Sequence, residues 1–201
     1  MSLEDRLGAL SRPYPPIHRL GERLLRYGAQ SAPGHLRIGH RPWVGPENYA
    51  LILFPPSSPE GLADFETRHR RPLPGHLREF LGTTNGVIAY GISLYGLTPS
   101  TQGNPPLMDR SAIQCHDLGI ANTDWFLEYP PQAGTCHFGS RTFGWADKLG
   151  YFMDGSGKIR SISEKHRAVR NEWGSFPEFL SHELAAAEQE EKEDPKSWWK
   201  D

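Results

Sequence analysis

The sequence has few of the features that characterise secreted or membrane proteins. Its only cysteines are Cys115 and Cys136, so no disulfide framework is available, and we expect both thiols to be reduced in the cytoplasm. The longest unbroken apolar run is the six residues from Tyr49 to Phe54, whereas a helix that crosses a bilayer needs about 20. The first residues also lack the basic and apolar regions of a secretory signal. We therefore expect a cytoplasmic protein with no membrane partner.

The sequence also lacks an excess of charge of either sign. The 22 Lys and Arg residues nearly balance the 24 Asp and Glu residues, for a net charge of −2. Domains that bind nucleic acid are usually strongly basic, so we expect no nucleic-acid partner. The charge is unevenly spread, however, because residues 1–41 carry seven Arg and three acids (7 − 3 = +4) and residues 178–201 carry three Lys and eight acids (3 − 8 = −5). A binding surface can therefore be locally charged.

Glycine and proline are plentiful, at 21 and 18 of 201 residues. Their combined fraction nevertheless remains below the ~25–30% that is typical of low-complexity chains. We find no internal repeat. The composition favours one folded domain with extensions. In the first 41 residues, apolar residues at helical spacing predict a short helix over 17–27, packed either on the domain or on a partner.

A helix–turn–helix–strand pattern follows residue 56. Ser57-Ser58-Pro59-Glu60 predicts the start of a first helix, because its serine oxygens can accept from free backbone N–H groups. Pro74 is well placed to open a second helix. Asn85-Gly86 predicts its end, because glycine adopts positive φ at little cost. The β-branched and aromatic stretch from Val87 to Leu97 predicts a strand.

The C-terminal part has a similar set of local signals. Asp154-Gly155 lies between two apolar stretches and predicts a hairpin turn. Ser175, followed three residues later by Glu178, forms a capping box that predicts the start of the last helix. The spacing of Phe176, Phe179 and Leu180 predicts its buried face.

The stretch GLADFETRHRRPLPGHLREFLGTTNGVIAYGISLYGL resembles the opening of the SUKH superfamily, which includes fungal Smi/Knr cell-wall regulators and many bacterial immunity proteins. The segment WGSFPEFL is similar to the closing segment of that family. The matching positions are Leu73, Pro74, Leu77, Phe80, Leu81, Asn85, Gly86, Trp173, Ser175, Phe176, Phe179 and Leu180. The resemblance covers roughly residues 43–185. It thereby implies a domain over these residues, with an N-terminal extension (1–42) and an acidic C-terminal tail (186–201). It implies an α+β Smi/Knr-like fold with a twisted, largely antiparallel sheet of about five or six strands flanked by helices.

The same resemblance implies a non-catalytic protein-binding function. Most often this is an immunity protein that neutralises a cognate toxin domain of a bacterial polymorphic toxin system. Many such toxins are nucleases with basic surfaces, so local acidic side chains would speed the encounter. The fungal members suggest the alternative, a regulatory or scaffold domain. We expect a protein partner and no cofactor; the oligomeric state is left open.

The stretch from Asp117 to Gln132, which we expect to be a loop, is the candidate contact surface. It places Asp124 and Glu128 beside Trp125 and Tyr129. Tryptophan and tyrosine are enriched in the cores of protein interfaces, and carboxylates around them favour a basic partner. The alternative is that the aromatic residues of this stretch complete a small core.

Catalytic and metal sites have weaker support. The dipeptides Cys115-His116 and Cys136-His137 supply zinc-ligand types, but adjacent residues rarely both ligate, and the usual gap of two to four residues is missing. No G-x-S-x-G motif is present. The Gly-rich stretch 154–158 lacks both the P-loop spacing and the glutamate that closes a calcium loop. We predict no catalytic residue and no metal site.

Overall fold

The computed structural model describes residues 3–32, 34–97, 115–128, 134–143 and 147–193. Over these residues the chain has an α+β fold with nine antiparallel strands and six α-helices. The strands are β1 (Ala29–Ala32), β2 (His35–His40), β3 (Tyr49–Leu53), β4 (Val87–Ala89), β5 (Ile92–Leu94), β6 (Thr135–Phe143), β7 (Asp147–Asp154), β8 (Ile159–Ser163) and β9 (Val169–Trp173). The helices are α1 (Leu3–Gly8), α2 (Pro15–Leu24), α3 (Pro59–His69), α4 (Gly75–Thr83), α5 (Leu118–Glu128) and α6 (Phe176–Glu193). The strands form a single sheet in chain order from β1 to β9. In the described part of the chain, no helix is both long and apolar enough to cross a membrane.

The α+β class is as predicted, but five or six strands were too few. The stretch predicted as one strand from Val87 folds instead into β4 and β5, because the chain reverses at Tyr90, which has φ 52°. Two further strands, β1 and β2, come from the predicted N-terminal extension. Neither strand was predicted from the sequence. β1 consists of small or polar residues, and β2 contains His35 and Arg37, whose buried side chains interrupt its apolar pattern.

Described residues of the predicted N-terminal extension pack in the same core and sheet as the described residues that follow. In the register of β2 on β3, Leu36 pairs with Leu53 and Ile38 with Leu51. The predicted short helix is present as α2, extended by a 3-10 turn over Leu25–Tyr27. Its apolar side chains join the main hydrophobic core, so the helix packs on its own domain.

Aromatic rings from distant parts of the sequence meet in the centre of this core. Phe80 of α4 packs edge-on against Phe176 of α6, with ring centroids 5.1 Å apart. Phe138 of β6 packs edge-on against Phe179 at 5.3 Å, and Tyr14 against Phe80 at 5.2 Å. Such pairs contribute about 0.5–1.5 kcal/mol each beyond the burial of their area. Residues of both motifs that suggested the family therefore pack together.

The local signals for helix ends and turns are confirmed. The hydroxyl of Ser58 accepts from the backbone N–H of Gly61 at 3.1 Å and caps α3. The hydroxyl of Ser175 accepts from the N–H of Glu178 at 3.3 Å at the start of α6. A carboxylate oxygen of Asp154 accepts from the N–H of Lys158 at 3.1 Å in the predicted hairpin between β7 and β8.

The Asn-Gly turn after α4 depends on a glycine. Gly86 has φ 92°, and a Cβ at this position would lie 2.8 Å from the carbonyl oxygen of Leu94. Positive φ and this close approach together exclude a side chain. The turn thus leads the chain from α4 into β4 and places Gly86 against Leu94 and Gly96, close to the candidate site.

Candidate functional site

The candidate site is built around α5, whose first turn is fixed by hydrogen bonds. The carboxylate of Asp117 accepts from the N–H of Ile120 at 2.7 Å and caps the helix. The N–H of Leu118 donates to the carbonyl of Gly96 at 2.9 Å, and the N–H of Gly96 donates to the carbonyl of His116, also at 2.9 Å. Leu118 is fully buried. The helix therefore begins at a defined point on the end of β5.

A single asparagine joins α5 to the sheet. The side-chain oxygen of Asn122 accepts from the N–H of His137 in β6 at 3.0 Å, and its amide nitrogen donates to the carbonyl of His137 at 2.9 Å. Asn85 makes the same pair of bonds with Leu97, at 2.6 and 2.7 Å. Each side-chain amide thus pairs with both the N–H and the C=O of one backbone residue, as a residue of a neighbouring strand would. The sequence motif drew attention to Asn85 but not to Asn122.

Helix α3 also contacts the start of α5. A Cβ at Gly119 would lie 2.7 Å from the imidazole carbon Cε1 of His69 at the C-terminal end of α3, so the two helices are in close contact at this point. His69 in turn lies against Phe65, with ring centroids 4.3 Å apart. Contacts with β6 on one side and α3 on another leave a separate outward face of α5.

Ile120 marks that outward face. Its side chain is 62% exposed, and only Val44 and Val169 are other large apolar residues exposed within the described residues. Residues four apart lie on the same side of a helix, so positions 124 and 128 of α5 follow Ile120 along this face. We call positions 120, 124 and 128 the outer face of α5.

The predicted contact residues lie partly on this face. The structure places Asp124, Trp125 and Glu128 in the second half of α5, and Tyr129 lies outside the described residues. The expectation of a loop over 117–132 was wrong for residues 118–128, because Asp117 caps a helix that has no proline before Pro130. Asp124 and Glu128 share the outer face, whereas position 125 falls on the side of Leu118 and Asn122.

The acidic residues of α6 do not form a free acidic surface. Glu188 pairs with Arg23 at 2.6 Å and Glu191 with Arg41 at 2.7 Å. Glu183, which is buried, pairs with Arg141 at 3.2 Å and also accepts from the hydroxyl of Tyr151. Two ion pairs thus join the basic N-terminal segment to α6. The opposite net charges of the two ends were the sequence signal for this pairing, and residues 186–193 of the predicted acidic tail belong to α6.

The cysteine and histidine side chains are placed for packing. Burial raises the pKa of Cys115 and of Cys136 to about 11, so both stay protonated at neutral pH and are poor nucleophiles. Burial lowers the pKa of His137 to about 3, and its ring stacks on that of Phe152 at 4.7 Å. Among the residues that the structure describes, no three His, Cys, Asp or Glu side chains are grouped to hold a metal ion. The prediction of a non-catalytic protein stays a prediction.

No protein-family model matches the chain, and no curated protein shows significant sequence similarity to it. The SUKH resemblance therefore rests on the motif residues alone.

Proposed function

We propose that the protein is a non-catalytic, cytoplasmic binding domain of the SUKH type that acts as an immunity protein. In this role it neutralises a cognate nuclease-type toxin by direct binding. The observation that carries the proposal is the outer face of α5, where an exposed Ile120 shares one side of an anchored helix with the acidic positions 124 and 128. An apolar centre beside carboxylates suits a partner with a basic, partly apolar surface.

The anchoring of α5 supports a role in binding. The bond from the Leu118 N–H to Gly96 and the bonds of Asn122 to His137 hold the first half of the helix to the chain after β5 and to β6. Ile120 is therefore presented by an anchored part of the helix. Preformed surfaces lose less conformational freedom on association and therefore bind more tightly.

The test is coexpression with the product of the adjacent gene, scored by rescue of growth and by a stable complex. Ile120→Asp is expected to abolish both without loss of stability, because the side chain is exposed. Val44→Asp is the matched control, since Val44 is an exposed apolar residue in the loop before β3.

Charge is tested separately. Asp124→Asn combined with Glu128→Gln should slow association about tenfold at low salt. Glu4→Gln combined with Glu22→Gln makes the same change of charge on exposed positions of α1 and α2, and should leave the rate unchanged. Equal effects of the two double variants, or no effect of Ile120→Asp, would rule out the outer face of α5 as the contact. Several stable partners without a toxin among them would favour a scaffold.

A further inference from the structure

The hairpin formed by β8, β9 and their turn differs in charge from the rest of the molecule. Residues 158–172, which we call the basic hairpin, contain five Lys and Arg residues and two Glu residues (5 − 2 = +3), in a chain of net charge −2. Lys165, Arg167 and Arg170 are all exposed. Lys158 and Arg160 both pair with Glu172, at 2.8 and 2.7 Å. The basic hairpin is therefore distinguished by its net charge of +3 and not by unpaired cations.

The basic hairpin is also open to solvent along its length. Every residue from 164 to 172 is exposed, and Val169 has 47% of its surface accessible. Neither face of β9 is covered by another element until Trp173, which is buried.

Within the described residues, β9 has a strand neighbour on one side only, because it is the last strand of the sheet. The N–H of Asn171 points toward β8, where it donates to the hydroxyl of Ser161 at 3.0 Å. Successive residues of an antiparallel strand direct their backbone groups to opposite edges, so the N–H and C=O of Glu172 point to the open edge. An extended segment could pair with them.

We propose that β9 is a docking edge for an extended acidic segment of a partner protein, which adds to the sheet as a further strand. The backbone of Glu172 supplies the hydrogen bonds, and Lys165, Arg167 and Arg170 supply the charge that selects an acidic sequence. Two copies of this edge repel each other, so the same charges that prevent self-association favour an acidic partner.

A nucleic-acid ligand fits these observations less well. No Phe, Tyr or Trp occurs between residues 158 and 172, so the hairpin offers no aromatic side chain on which a base could stack. The open strand edge, in contrast, suits a polypeptide. The proposal concerns a different surface from α5 and stands or falls independently of the immunity function.

Two variants of Glu172 separate the contribution of backbone pairing to peptide binding from the contribution of charge. Glu172→Gln removes a negative charge and keeps the N–H, whereas Glu172→Pro removes the same charge together with the N–H. Proline is tolerated on an edge strand when its missing donor faces solvent. The probe is a short fluorescent peptide of alternating glutamate and valine, with binding followed by fluorescence anisotropy.

Glu172→Gln is expected to bind the peptide more tightly than wild type, and Glu172→Pro about fivefold more weakly than Glu172→Gln, since one hydrogen bond is lost. Hydrogen exchange of the Glu172 amide in the wild type should slow when the peptide binds. Equal affinities of the two variants, or unchanged exchange, would overturn strand addition.

A second pair of variants keeps the test valid even if Glu172→Pro fails to fold. Arg170→Glu should weaken peptide binding, whereas Arg19→Glu makes the same change on an exposed position of α2 and should not. Equal effects of these two variants would refute the proposal. So would equal binding of a lysine–valine peptide, or tighter binding of a single-stranded oligonucleotide than of the acidic peptide.

Discussion

The buried histidine of β6 makes the stability of the protein depend on pH. His137 is 2% exposed, and its ring lies between Phe152 at 4.7 Å and Tyr95 at 5.1 Å. Burial disfavours the charged imidazolium and lowers the pKa from 6.5 to about 3, although hydrogen bonds to the backbone of Ala121 and Gly139 oppose the shift. The unfolded chain therefore binds a proton at His137 that the folded protein does not bind.

The sign follows from the depressed pKa. The stabilisation is fully present above pH 6.5 and is lost as the pH falls toward 3. Each pH unit in this window is worth about 1.4 kcal/mol. The lower limit of the range from pH 7.5 to 4.5 lies two units below the unfolded pKa. Over this range His137 alone should lower the free energy of unfolding by about 3 kcal/mol. That is a large part of the ~5–15 kcal/mol that stabilises a typical domain.

The measurement is urea unfolding at a series of pH values for the wild type and for His137→Phe and His137→Gln. Both variants should lose about 3 kcal/mol less stability than the wild type between pH 7.5 and 4.5, because neither side chain ionises. They should differ in stability at neutral pH, since phenylalanine keeps the ring stacking and glutamine does not. Curves parallel to that of the wild type would refute the assignment of a neutral, buried His137.

Two further predictions concern stability. Arg141→Met leaves the buried carboxylate of Glu183 without its cation and should lower the free energy of unfolding by about 3–5 kcal/mol, whereas Arg23→Met, at a half-exposed pair, should cost less than about 1 kcal/mol; denaturant midpoints check both, and equal losses would contradict the reasoning. Gly86→Ala should cost about 2–3 kcal/mol, because it combines φ 92° with a clash at the Leu94 carbonyl. Gly75→Ala should leave the free energy of unfolding unchanged, because a Cβ at this position meets open space. Thermal unfolding of both alanine variants checks this, and similar melting temperatures would contradict it.

The candidate site was partly predictable. Tryptophan and acidic residues near 124–128 stood out by composition, but the expected loop is a helix. The cap at Asp117 was readable from the sequence in principle. The role of Asn122 was not, because its amide pairs with the backbone of His137, fifteen residues away in the sequence and in another element.

The number of strands was the feature of the fold that was hardest to predict from the sequence. β2 carries His35 and Arg37 inside a buried strand, which hides the apolar pattern that identifies strands. Arg37 is accommodated by hydrogen bonds to His35 at 2.8 Å and Glu47 at 2.6 Å. A polar side chain can be buried only where other residues of the fold supply its hydrogen-bond partners.

By itself, the sequence determined where α3 and α6 begin and where α4 ends, because capping at Ser58 and Ser175 and the turn at Gly86 depend on a few neighbouring residues. It also indicated the α+β class and the buried face of α6. Only the tertiary structure decided that acids of α6 are bound by arginines, since Arg41 and Glu191 lie 150 positions apart in the chain. Charge acts through space, so the pairing of charged side chains is decided only once the chain is folded.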